Sequence, residues 1–303
     1  MTKWFFYFLC ASWISLFCNN SVVAFVQKLS PPDATALDWF FRNCAQSFGG
    51  YVLYGDKPMA LEYLFAKEEQ SLYFSEATHA KMKAFKILKE WSQHCEDAEY
   101  PILFCKYANT QHMILINRKA FVKTVNQNLP LFRYILGHKL TAEALLLELI
   151  KNQDHFYDVL QDNNTLIGIL LGYGTHNSLI VSRQEFLLQQ ETGHFENFPF
   201  AKAISQAKPM LGFASIEEEL QSLACFKSSR DLKDFSTFEI PLFGCEPDSE
   251  ETTALLATYE KNREHLLTHV LQDNFMEKTL EKLFTTLSGK VRIPPLPKPS
   301  TFR

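Results

Sequence analysis

This sequence predicts a predominantly α-helical α+β domain with a small antiparallel sheet, and three observations carry that expectation. Apolar residues recur every three to four positions over residues 33–47, 77–94 and 249–287, the spacing of one face of a helix. Two short apolar runs, residues 102–107 and 113–116, are separated by a four-residue break, which fits an antiparallel hairpin. The chain has 303 residues, 47% of them hydrophobic and 21% charged, the balance of a folded chain with a sizeable core.

The elements follow in order. Leu37, Phe40, Phe41 and Cys44 share a stripe, and Pro31-Pro32 prevents the helix from extending backwards. Gly49-Gly50 ends it, Tyr51-Val52-Leu53-Tyr54 reads as a short strand, and Gly55-Asp56-Lys57-Pro58 as a turn. Met82, Phe85, Leu88 and Trp91 mark the second helix. From residue 120 to about 190 nearly everything reads as helix, including 142–151 and 156–171. Residues 215–226 form another helix and 235–243 an extended segment. In the last long helix, Ser249 supplies an N-cap with Glu250 and Glu251 in the first turn, and the apolar stripe breaks near Asp273-Asn274. Gly289 stops it, and a stiff, exposed Pro-rich tail occupies 289–303.

Residues 1–24 read as a secretory signal: Lys3, an uncharged run from Trp4 to Phe17, and Val22-Val23-Ala24 before the cut. The competing reading is an uncleaved anchor over residues 4–26, which the polar Asn19-Asn20-Ser21 opposes. A lipoprotein start at Cys18 is opposed by the bulk of Phe17. The globular domain then spans 30–288. Five cysteines follow the signal, an odd number; Cys95 and Cys105 are the best-placed pair for a disulfide. No later stretch is long and apolar enough to span a bilayer. The formal charge is −4 with no dense basic run, which argues against a nucleic-acid partner. The 27 Phe residues suit an aromatic core or a greasy binding surface.

Several strings occur together in order: Trp39-Phe40-Phe41-Arg42, the stretch from Gly50 to Met59, Gly168-Ile169-Leu170-Leu171-Gly172-Tyr173-Gly174 with Asn177-Ser178, and the stretch from Phe243 to Thr252 running into Tyr259-Glu260-Lys261-Asn262-Arg263. In these the chain resembles an uncharacterised group of predicted exported proteins of intracellular bacteria, the chlamydia-like ones especially. The resemblance covers most of the chain beyond the signal and implies export and a bacterial source. It implies no activity.

Four motifs touch on chemistry. Gly50-x4-Gly55-Asp56-Lys57 approximates a P-loop, but Asp56 stands where the Lys belongs and would repel phosphate. Gly168-x3-Gly172-Tyr173-Gly174 ends a helix, with Gly174 as its left-handed C′ residue. The polar residues after it make Tyr173, His176, Asn177 and Arg183 the candidate pocket, against a reading of tight helix packing. His265, His269 and Asp273 fall at i, i+4 and i+8 and form a weak candidate metal face, more simply a solvated one. Cys245 is a candidate nucleophile with His176 or His194 as base, though nearby acids would raise its pKa. Neither a Gly-x-Ser-x-Gly elbow nor a Cys-x-x-Cys pair occurs, and no cofactor is implied.

These readings lead to an exported, non-enzymatic protein that binds a protein or envelope component through an aromatic surface. One alternative is an exported hydrolase built on Tyr173, His176, Asn177, Arg183 and Cys245. Another is a scaffold anchored in a membrane by its N-terminal segment, the only membrane contact expected.

Overall fold

The computed structural model describes residues 22–64, 76–94, 96–107, 110–192, 218, 222, 227–228, 241 and 243–297. The predicted α+β class holds: the chain is predominantly helical, with a small three-stranded antiparallel sheet. After a helical turn over 22–26, the chain runs through α1 (Pro31–Gln46), α2 (Phe48–Leu53), β1 (Met59–Leu64), α3 (Glu76–Ser92), β2 (Ile102–Tyr107) and β3 (Thr110–Ile116). Next come α4 (Arg118–Gln127), α5 (Leu129–Leu136), α6 (Ala142–Lys151), α7 (Phe156–Val159), α8 (Asn164–Leu170) and α9 (Thr175–Thr192). Two-residue strands β4 (Lys227–Ser228) and β5 (Gly244–Cys245) precede α10 (Glu250–Val270) and α11 (Phe275–Phe284).

The sheet order is β1-β3-β2, antiparallel throughout, with Met59 opposite Ile116 and Ile102 opposite Leu115. Side chains alternate across a strand, and here both faces are covered. Ala60, Phe104, Met113 and Leu115 join a core formed with α1, α2, α3, α10 and α11. Met59, Leu103, Cys105, Ile114 and Ile116 join a second core formed with α4 to α8. The unbroken apolar run Met113–Ile116 is the sequence trace of a strand buried on both sides.

Local chemistry sets the helix starts. Ser30, Asn117, Thr141, Asn163 and Ser249 each accept a first-turn N–H through the side chain. Pro31-Pro32 opens α1 rather than preceding it, because proline lacks the N–H that would have no intrahelical acceptor in the first turn. The break in the last helix falls between Val270 and Phe275.

Five expectations need correction. Residues 51–53 are helical and Tyr54 is the C-cap, so 51–54 is not a strand. All four side chains are buried, so no periodicity could separate the two, and Gly50 lets α2 approach α10: a Cβ there would lie 2.7 Å from Leu266 Cδ2. β1 was read as no element at all. The helix over 156–171 is divided, since Gln161 and Asp162 adopt φ of 54° and 49°. Cys105 is a free, buried thiol on a strand facing the second core, where burial pushes it up to about 12; Cys95 lies outside the described residues. The tail is docked as far as Pro295: Trp91 Nε1 donates to Pro295 O at 3.2 Å and Arg292 pairs with Asp97 at 3.0 Å.

Residues 1–21 and His194 lie outside the described residues, as do most of 215–226 and 235–243. Val22 and Phe25 are buried, and the Phe25 ring meets Trp91 and Phe284 edge-on at 5.3 and 5.7 Å. Among the described residues, no helix is long and apolar enough to cross a membrane.

Candidate functional site

The Gly172–Gly174 junction is where the chain turns from α8 into α9. Gly172 and Gly174 hold φ of +75° and +90°, a region that an L side chain occupies only with strain. Gly172, not Gly174, is the left-handed residue that closes α8. Space forbids a side chain as well, because a Cβ on Gly172 would lie 2.6 Å from Tyr259 Oη. That hydroxyl donates to Gly172 O at 2.6 Å. Gly168 makes room for Ser178, whose Oγ would stand 2.7 Å from a Cβ there, so the predicted tight helix packing is present.

Beneath the junction lies Lys57, 1% exposed. Its ammonium donates to Leu171 O and sits over the Tyr173 ring at 4.8 Å and the Tyr259 ring at 5.8 Å. Burial brings Lys57 down from 10.5 to about 7 and pushes Tyr173 up to about 12. Tyr173 stacks on Phe243 at 5.5 Å, which ties the junction to the segment ahead of α10.

The N-terminus of α9 is capped from another helix. Glu251 accepts from the backbone amides of Thr175 (2.8 Å), His176 (3.2 Å) and Asn177 (3.0 Å). Because Glu251 also lies in the first turn of α10, one carboxylate faces the positive ends of two helix dipoles. Asn177 is fully buried. Its Nδ2 donates to Tyr173 O and Thr252 Oγ1, and its Oδ1 accepts from Glu246 N.

Three of the four predicted pocket residues therefore come together, but Asn177 locks the α9–α10 contact rather than facing solvent. Arg183 lies two turns further along α9, with its guanidinium over the Phe186 ring at 5.6 Å, and does not join them. His176 is half exposed and meets Glu246 at 2.6 Å between Nε2 and Oε2. Cys245 is fully buried, which denies a substrate access to its thiol. The predicted metal face is not assembled: α10 ends at Val270, so Asp273 leaves the helix. His265 and His269 turn Nδ1 toward the carbonyls of Tyr54 and His265, and no described group of residues could hold a metal ion. The near P-loop folds as helix and bend, with its lysine buried.

A feature the sequence did not disclose opens beside this junction. A cleft of about 430 Å³ runs between α4 and α10, with Gly172, Gly174 and Thr175 along its floor. Several of its polar groups are committed to structure. Asn117 caps α4, Asn128 Oδ1 accepts from Thr175 Oγ1, and Tyr259 and Glu251 hold the junction. Lys119, Lys123 and Asp56 also line it, in no ion pair within the described structure. Asn262 lines it with a buried Nδ2 that lacks a hydrogen-bond partner.

The predicted aromatic surface is not what the described Phe residues build. Phe25, Phe40, Phe41, Phe85, Phe104, Phe121, Phe132, Phe156, Phe186, Phe243, Phe275 and Phe284 are all buried. Compared with known proteins, the chain matches no protein-family model, no curated protein and no solved structure.

Proposed function

We propose that this chain is an exported, non-enzymatic binding protein whose partner, a free molecule or part of an envelope component, enters the cleft between α4 and α10. The observation that carries this reading is the contrast within the site. Asn177, Cys245 and Lys57 are buried and Tyr173 is partly so. Glu251 is committed to the helix cap and the exposed His176 is paired with Glu246, whereas Lys119, Lys123 and Asp56 line the cleft with no ion pair among the described residues. A cleft of about 430 Å³ falls in the size range of small-molecule sites. The test is a thermal-shift survey of the purified chain against free metabolites and envelope fragments. A ligand that raises the melting temperature and is released unchanged supports binding; a ligand recovered chemically altered overturns it.

Export rests on the uncharged N-terminal run and on the resemblance described above. Mass analysis of the protein from its own host should find a chain beginning at Phe25 in a soluble envelope or secreted fraction. Intact Met1 in the membrane pellet would make it an anchored scaffold.

The hydrolase reading keeps one specific observation, the exposed His176–Glu246 pair at 2.6 Å, an arrangement that orients an imidazole as a general base. Cys245 is too buried to serve it as nucleophile. The two readings separate on His176→Ala. A binding protein keeps its ligand affinity within about twofold, because an exposed pair contributes little. A hydrolase loses a hundredfold or more of its turnover.

A further inference from the structure

The cleft's composition narrows what it can hold. This step rests on the binding reading above and names the ligand class. Lys119 and Lys123 are one helical turn apart on α4 and both exposed, so their ammonium groups can converge on a single anionic group. Asp56, at the bend before β1, lines the same cleft and supplies a carboxylate for a cation. Glu251, the other acid in the lining, already accepts three backbone N–H groups. Apolar lining comes from Pro58, Ala120, Ile169, Leu255 and Tyr259. That surface covers a short side chain, and a volume of about 430 Å³ leaves no room for a long tail beside the charged ends.

We propose that the cleft binds a small zwitterion of the amino-acid to dipeptide class. Its carboxylate lies between Lys119 and Lys123 and its amine toward Asp56. The opposed charges set polarity along the cleft and discriminate against molecules that carry only one sign. The cleft's volume sets the upper size, since a dipeptide fits and an extended oligopeptide does not.

The experiment is isothermal titration of the full chain with the free amino acids and a panel of dipeptides, beside N-acetylated and amidated versions of any that bind. Neutral disaccharides and inorganic phosphate serve as comparison probes. At least one unmodified zwitterion should bind, with acetylation or amidation weakening it tenfold or more. Lys119→Gln with Lys123→Gln should cost a similar factor, as should Asp56→Asn. These exposed positions leave the fold intact, which an unchanged melting temperature without ligand verifies. Binding of phosphate or a disaccharide with no zwitterion bound would overturn the ligand class and leave the binding cleft standing. Zwitterion binding indifferent to both sets of variants would overturn the class in this cleft. If no probe binds, here or in the thermal-shift survey, this proposal and the binding reading fall together.

Discussion

Lys57→Met should make the protein more stable at pH 6 and bring little advantage at pH 9.5. Folded Lys57 gives up its proton near pH 7, whereas an unfolded lysine holds it to about 10.5. Between those values the unfolded chain binds the additional proton, so wild-type stability climbs as pH rises through the window. Below pH 7 both states are protonated and the whole cost of the buried charge is present. A drop from 10.5 to about 7 corresponds to roughly 5 kcal/mol.

Methionine fills a similar volume without charge, but it leaves Leu171 O without the lysine's hydrogen bond, a loss of about 1–2 kcal/mol. The expected net gain is therefore roughly 3 kcal/mol at pH 6, shrinking toward zero by pH 9.5 as the wild type sheds its penalty. Urea unfolding of both proteins at four or five pH values reads this directly. Parallel curves would mean that Lys57 keeps its charge in the fold. The Leu171 bond and the Tyr173 and Tyr259 rings would then offset the burial.

That lysine also marks where sequence reading stops. Gly55-Asp56-Lys57-Pro58 has the composition of an exposed turn, and nothing local says that Leu171, more than a hundred residues away, will cover it. The α3 stripe of Phe85, Leu88 and Trp91 was legible because one face of α3 is buried and the other wet. The β2–β3 pair was legible because its break is short. Residues 51–54 were not, being buried on every side, and Met59-Ala60-Leu61-Glu62-Tyr63-Leu64 is rich in residues that favour helix yet pairs as β1 because β3 offers an edge.

The candidate site divides the same way. Its backbone junction was visible in Gly168, Gly172 and Gly174, since close approach and positive φ both demand glycine. The placement of Tyr173, His176 and Asn177 beside one another followed from their nearness in the chain. Glu251 read only as a first-turn acid of its own helix, because its second role depends on where α9 lies. The cleft is a gap between two helices far apart in sequence, and no motif records a gap.

Glu251 gives the other large effect. Two helices begin side by side here, α9 at Thr175 and α10 at Glu250, and their positive ends would repel without an anion between them. Glu251→Ala removes that anion and leaves the amides of Thr175, His176 and Asn177 without their acceptor. The expected loss is roughly 3–4 kcal/mol, more than a single N-cap residue contributes. Glu251→Gln keeps the shape and one carbonyl oxygen but gives up the charge, so about half that loss should remain.

The pair separates charge from geometry, since a Gln variant as damaged as Ala would assign the effect to charge alone. An Ala variant within 1 kcal/mol of wild type in urea unfolding would mean that water replaces the carboxylate, and the cap would not be a structural element. Because Gly174, Thr175 and Glu251 line the cleft as well, the cap and the proposed ligand share a wall. Loosening α9 in the Ala variant should therefore weaken zwitterion binding although no ligand contact is assigned to Glu251. The Gln variant, which keeps the wall in place, should bind nearly as the wild type does.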